Sequence, residues 1–291
     1  MANLKEIRTR ISSVEKTKQV TAAMKMVSAA KLKKAQDAIL QIRPYADKLH
    51  EILGSLSGSL SDSEDNIYGS ERKADKVLLV AITSNKGLCG AFNSNVIKRV
   101  NELAKGVYSS QRAQGNLKVL TIGKKGFKDL SKAYQVIGHH NELFDDMSFE
   151  NTSAIASSIM KEYVAGNYDK VELVYNRFKN AGVQILTNEQ FLPIVNDENE
   201  DANAHSDYIF EPGKEAIVSE LVPKSLKTQF FGAMLDSVAS EHGARMTSMH
   251  KATDNASDLI QELKLHYNQA RQAAITNEIL EIVSGANALA Q

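Results

Sequence analysis

Apolar positions near the start of the chain recur at three- and four-residue steps. Leu4, Ile7, Ile11 and Val14 form one block, and Val20, Ala23, Val27 and Ala30 form a second. Leu32, Ala35, Ile39, Ile42, Ala46, Leu49 and Leu53 form a third. Such steps keep side chains on one face of a helix. Residues 3–53 contain no glycine and one proline, Pro44. They predict a single helix of roughly 75 Å at 1.5 Å per residue, bent near Pro44, where a backbone donor is missing. The rhythm slips between Val14 and Val20 and between Ala30 and Leu32, and slips of that kind change coiled-coil winding locally.

The other end repeats the pattern. From Lys224 to Ala288 there is no proline, and the only glycines are Gly232, Gly243 and Gly285. Met249, Ala252, Ala256, Leu259 and Leu263 lead into Tyr267, Ala270, Ala274, Ile275, Ile279, Ile282 and Ala286. This predicts a rod of roughly 90 Å, with a stripe narrow enough for a coiled coil. Residues 215–222 predict a separate helix that Pro223 interrupts. A rod of that length needs a partner along it, and the N-terminal helix, laid antiparallel, supplies one. The alternative is two separate helices buried in a globular bundle.

Between the ends the texture changes. Val77 to Thr83 is an uncharged, β-branched run that predicts a buried strand. Leu117–Ile122, Val171–Phe178 and Gln184–Ile194 predict further strands. Helices are predicted over Ser94–Lys105 and Ser153–Ala165, with a short one over Gly126–Lys132. Alternation of this kind implies a small, mainly parallel α/β layer. The predicted fold class is therefore α/β with a long α-helical antiparallel coiled coil. The N- and C-terminal helices pair, and a Rossmann-like α/β domain lies between them in sequence. The expected partition is a coiled-coil helix over 1–57, a linker over 58–75, the α/β domain over 76–195, a loop over 196–213 and the second coiled-coil helix over 214–291.

Charge adds one feature. Lys+Arg and Asp+Glu both number 35, yet up to Gln36 nine basic residues meet only Glu6 and Glu15. After Arg271 the only charged residues are Glu278 and Glu281. A basic helix suits an acidic protein surface or nucleic acid. No aromatic stacking set or base-reading motif accompanies it, so nucleic acid is not expected. Cys89 is the single cysteine, which excludes an intrachain disulfide and a cysteine-rich metal site. There is no 18-residue apolar run and no secretory leader pattern, so a cytosolic or membrane-peripheral protein is expected.

The candidate chemistry is thin. Gly87 and Gly90 lie in the turn after the first strand, where a dinucleotide fold cradles pyrophosphate. The three-glycine fingerprint is incomplete, and no phosphate-loop pattern exists. The turn is read as a strand-to-helix connection with Asn93 or Ser94 capping the helix. His139 and His140 are adjacent in an expected loop, His242 and His250 are eight apart, and His266 stands alone. None has the spacing of a helical metal pair. No cofactor, metal or small-molecule substrate is expected.

Three stretches together are specific: Thr21-Ala22-Ala23-Met24-Lys25-Met26-Val27-Ser28-Ala29-Ala30-Lys31-Leu32, the turn Ser84 to Asn93, and Tyr267-Asn268-Gln269-Ala270-Arg271-Gln272-Ala273-Ala274-Ile275-Thr276-Asn277-Glu278-Ile279 with Glu281-Ile282-Val283-Ser284-Gly285-Ala286. In these the chain resembles the gamma subunit of the rotary, proton-coupled ATP synthase of bacterial type, over its whole length. The resemblance implies a non-catalytic central shaft inside a ring of alpha and beta subunits, with epsilon and the membrane c-ring as further partners. It implies a place on the cytoplasmic face of the bacterial inner membrane and a part in regulating ATPase activity and proton flow. Carried over by motif, Arg271, Gln272, Thr276 and Glu278 face beta-subunit loops, with Met24 and Lys25 close to the same contact. Ile282, Val283, Ala286 and Leu289 form the shaft tip. Lys31, Lys33 and Lys34 are expected to oppose acidic loops of the beta subunits. A coiled-coil scaffold carrying a degenerate α/β domain, and a nucleotide-binding enzyme, are the competing readings.

Overall fold

A computed structural model of the chain describes residues 4–60, 68–69, 72–194 and 214–289. The first helix, α1, spans Leu4–Leu60 with Pro44 inside it. The last, α6, spans Lys214–Leu289 with Pro223 inside it. The break expected at Pro223 is absent. A helix-interior proline costs about 3 kcal/mol. Val222, Leu226 and Phe230, on the same face, are all buried, and each such side chain recovers roughly 1.5–3 kcal/mol. Burial therefore outweighs the lost hydrogen bond. Helix α1 runs three residues into the stretch expected as linker; most of the remaining linker and all of the expected 196–213 loop lie outside the described residues.

The chain divides into two compact units, Met1–Ser28 with Met246–Gln291, and Ala29–Arg245. The second holds a five-stranded sheet: β1 (Val77–Ile82), β2 (Leu117–Ile122), β3 (Gln135–His140), β4 (Lys170–Asn180) and β5 (Val183–Leu192). Their spatial order is β3-β2-β1-β4-β5. The first four are mutually parallel, and β5 returns antiparallel to β4. One face packs Leu78, Val80 and Ile82 against α5 (Phe149–Val164) and the Val222–Met234 part of α6. The other packs Leu79 and Ala81 against α2 (Phe92–Lys105). Both faces of β1 are thus covered, which is why its sequence carries no polar alternation. A five-residue helix, α3 (Ser109–Ala113), and α4 (Lys124–Leu130) complete the layer.

Strand β3 was not expected, and His139 and His140 lie in it rather than in a loop. It is an edge strand whose residues alternate between exposed and half-buried. Gln135-Val136-Ile137-Gly138-His139-His140 carries too little β-branched, apolar character to announce a strand without its neighbour β2.

Candidate functional site: a helix pair with an unpaired end

Within the unit of residues 1–28 and 246–291, four cross-helix contacts fix the pairing. Arg8 Nη2 donates to the Tyr267 hydroxyl at 2.7 Å, with the guanidinium 5.6 Å from the ring centre. Lys264 lies 3.7 Å from Glu15. The Thr21 and Thr253 hydroxyls share a hydrogen bond at 2.8 Å, and Lys25 donates to His250 Nδ1 at 3.2 Å. The two residue numbers of each pair total 275, 279, 274 and 275. A constant total means antiparallel helices in one register.

The seam is an unbroken heptad, and it departs from the apolar blocks at the second of them. On α1 the covered positions of this unit are Ile7, Ile11, Val14, Lys18, Thr21, Lys25 and Ser28. Steps of four and three alternate without a slip. Val20 and Val27, at the heart of the second block, are each 58% exposed, and Met26 beside them is 67% exposed. Polar residues hold the seam where apolar ones look outward. They are short or flexible, and they find partners: Thr21 pairs with Thr253 and the Ser28 hydroxyl donates to Met24 O at 2.7 Å. A buried hydroxyl so paired costs little. On α6 the matching seam is Met249, Thr253, Ala256, Ile260, Leu263, Tyr267, Ala270 and Ala274.

This register corrects one expectation. Met24 stands level with residue 251, and Arg271 with Leu4. Met24 and Arg271 are therefore twenty positions apart along the pair, roughly 30 Å at 1.5 Å per residue, and cannot share one contact. Met24 and Lys25 are half-buried at one level, flanked by exposed Val20, Met26 and Val27. Arg271, Gln272, Thr276 and Glu278 are exposed at the other. The only side-chain hydrogen bond of that group among the described residues is local, Thr276 Oγ1 to Gln272 O at 2.9 Å.

Beyond this level α6 continues to Leu289 with no described residue of α1 opposite it. Its apolar side chains are open to solvent: Ile275, Ile279, Leu280, Ile282 and Val283 are between 46 and 71% exposed. Ala286 is also exposed.

In the unit of residues 29–245, α6 closes over the turn after β1. Arg245 Nη2 donates to Lys86 O at 2.9 Å and to Gly87 O at 3.2 Å, and Nε donates to Gly87 O at 3.3 Å. Nη1 pairs with Glu241 Oε1 at 2.7 Å, both side chains being under 10% exposed. Burial pushes the Glu241 carboxyl upward, against the pull of Arg245. His242 Nδ1 lies 3.3 Å from Arg245 Nη1; burial, then Arg245 and Lys31, push this imidazole down to about 4. A phosphate cradle presents N–H groups to its ligand. Here the turn presents carbonyls, and a guanidinium of the same chain takes them. Nor does Asn93 cap α2. Its Oδ1 accepts the Ser84 N–H at 2.9 Å, tying the turn to the strand end, while the N-cap position is Ala91. No local signal announced Arg245 as the residue that closes the turn, because the turn carbonyls it takes lie over 150 residues away in sequence.

Three further histidines are engaged outside the cross-helix contacts. His139 stacks on Phe127 at 4.5 Å, His140 lies 3.5 Å from Glu142, and His266 lies 3.8 Å from Glu262. Among the described residues no helix is long and apolar enough to cross a membrane.

A family model described as ATP synthase matches residues 3–289. An ATP synthase gamma chain from Flavobacterium johnsoniae is 59% identical over 289 residues, covering 99% of both chains. One from Cytophaga hutchinsonii is 50% identical, again over 99% of both. Among solved structures, a chain of the Tetrahymena thermophila mitochondrial ATP synthase central stalk and c-ring is 30% identical, with a TM-score of 0.60 over 80% of this chain and 99% of that one. A chain of the Euglena gracilis mitochondrial ATP synthase shares the fold at 21% identity, with a TM-score of 0.67 over 98% of this chain and 94% of that one.

Proposed function

Because the chain belongs to the ATP synthase gamma-chain family, we propose that it is the central rotor shaft of a bacterial, proton-coupled ATP synthase. In this reading it transmits torque between the membrane c-ring and the ring of alpha and beta subunits, and regulates ATPase activity and proton flow. It carries no catalytic group of its own and sits peripherally on the cytoplasmic face of the inner membrane, with epsilon as a further partner. Residues 1–57 and 214–291 act as its coiled-coil body, and residues 76–195 as the domain carried outside the alpha/beta ring.

The observation that carries this reading is the unpaired end of α6. Exposed apolar side chains concentrated on one solitary helix mark a surface made for a partner. A bearing also needs contacts that slide, and short apolar chains offer no directional bond to break. We assign Ile282, Val283, Ala286 and Leu289 to this tip. Arg271, Gln272, Thr276 and Glu278 form one polar contact level for beta-subunit loops. Met24 and Lys25, with exposed Val20, Met26 and Val27, form a second level about 30 Å along the pair. The asymmetry needed to hold three beta subunits in different states follows from two helices ending at different heights.

The test is a native pull-down of the tagged chain from gently solubilised membranes, with bound proteins identified and ATPase activity assayed. Alpha and beta subunits in excess over the bait, with activity, are expected. A bait recovered alone or with nucleic acid would sink the reading. In the same preparation, removing residues 284–291 is expected to leave the alpha/beta ring assembled. The heptad seam ends near Ala274, so the paired stretch remains whole. A ring that no longer forms would count against the tip as a bearing.

A further inference from the structure

One ring nitrogen of His250 faces two partners of opposite kind. Nδ1 lies 3.2 Å from Lys25 Nζ on α1, and 3.4 Å from Asp254 Oδ2 one turn along α6. An ammonium only donates, and a carboxylate only accepts. To serve Lys25, Nδ1 needs its lone pair, in a neutral ring with the proton on Nε2. To serve Asp254 it needs an N–H. One nitrogen cannot do both. Lys25 belongs to the opposite helix and Asp254 to the same one, so the state of Nδ1 decides whether this side chain joins the pair or braces α6 alone.

The charged groups around the ring are few. From α1 it is faced by Lys25; the residues one turn either side of Lys25 are Thr21, Ala22, Ser28 and Ala29, and Lys18 is two turns off. On α6 the residues one turn either side of His250 are Met246, Thr247, Thr253 and Asp254. Lys251, next in the chain, is exposed and roughly 100° round the helix. Lys25 itself occupies a half-buried seam position at the level of Met24.

We propose that His250 is a proton-operated switch on the Met24 and Lys25 contact level: the neutral ring holds Lys25 across the helix pair, and protonation turns the ring to Asp254 and releases Lys25 toward the beta-subunit loops. This names a regulation of the shaft and rests on the shaft reading for its partner. Histidine is the side chain that changes charge between pH 5 and 8. The sign follows from charge. Protonation removes the acceptor of Lys25 and sets a second cation beside its ammonium, while Asp254 gains an ion-pair partner at i, i+4 spacing. The level gains one positive charge and one free ammonium. The helix that carries it has nine basic residues against Glu6 and Glu15 up to Gln36, which suits an acidic partner surface. Acid therefore tightens the hold of the shaft on the ring and slows turnover.

Two measurements separate the switch from the shaft reading. Histidine nitrogen spectra of the full-length chain alone report the ring. At pH 8 His250 is expected with its proton on Nε2 and a bare Nδ1. Lys25→Met is expected to shift the neutral ring toward the Nδ1–H tautomer, and Asp254→Asn to shift it further from that tautomer. A neutral His250 that carries its proton on Nδ1 in the unaltered chain overturns the switch, as does a tautomer unmoved by both substitutions. The second measurement is ATP hydrolysis by the assembled alpha/beta complex at pH 8 and pH 6. His250→Gln accepts from Lys25 at every pH, and its ratio of activity at pH 8 to that at pH 6 is expected to be about two- to fivefold smaller than in the unaltered complex, the equivalent of one surface ion pair. His250→Arg, a fixed cation, is expected to lower activity at pH 8 by a similar factor. Equal ratios in His250→Gln and the unaltered complex overturn the regulation. An unaltered chain that recovers no alpha and beta subunits overturns the partner together with the shaft reading, and the nitrogen spectra then decide the ring switch by themselves.

Discussion

Arg245→Ala is expected to destabilise the unit of residues 29–245 by about 3–5 kcal/mol, the range for breaking one side of a buried ion pair. The guanidinium serves three acceptors at once, Glu241 and the carbonyls of Lys86 and Gly87. Its removal leaves a carboxylate that is already pushed upward by burial with no counter-charge. Two turn carbonyls lose their donors as well. Arg245→Lys restores charge but not the planar fork that spans all three, so it is expected to recover well under half of the loss. Urea unfolding of the purified full chain, followed by far-ultraviolet circular dichroism, measures both. The sign with pH is a second check. Glu241 without Arg245 is cheaper to bury as the neutral acid, so the deficit shrinks as pH falls. A loss below about 1 kcal/mol, within the range of an exposed pair, would mean that water replaces the guanidinium.

Gly123→Ala is expected to cost more than about 4 kcal/mol, beyond the usual range for single substitutions, or to prevent folding. Gly123 has a φ of +99°, and a Cβ there would lie 2.3 Å from the Thr83 carbonyl oxygen. That oxygen belongs to the residue that follows β1, between two covered faces, and cannot retreat without moving the sheet centre. The neighbouring Gly126 is also tight against Thr83, whose Oγ1 accepts the Gly126 N–H at 2.9 Å. Gly115 separates clash from backbone strain. Its φ is +76°, but nothing lies within 4 Å of a Cβ, so Gly115→Ala bears only the left-handed penalty of roughly 1–2 kcal/mol. Comparable midpoints for the two variants would mean that the Thr83 contact relaxes freely.

Several features were legible because they are local. The β-branched runs at Val77–Ile82 and Leu117–Ile122 announce strands wherever they occur, and both were placed within a residue or two. The glycine-poor, periodic ends announce helices. The stretch from Tyr267 to Ala286 announces the family, which the relatives bear out. Less legible was anything that needed a neighbour. Edge strand β3 became a strand only beside β2. Pro223 did not end α6, because the burial that carries the helix through it is tertiary.

The two long helices mark the division most clearly. Their existence was determined by the sequence alone, since backbone helicity follows from spacing and the near absence of glycine; the full length of α6 was not, because Pro223 was expected to interrupt it. Which face of α1 meets α6 was decided only in three dimensions. The apolar block of Val20, Ala23, Val27 and Ala30 looked like seam, yet Lys18, Thr21, Lys25 and Ser28 take that place. Hydrophobicity ranks side chains by what they lose to water. It says nothing about the Thr253 hydroxyl and His250 nitrogen that compensate a polar seam, because those acceptors sit more than two hundred residues away along the chain. The same partners fixed the register, and with it the roughly 30 Å that separates Met24 from Arg271.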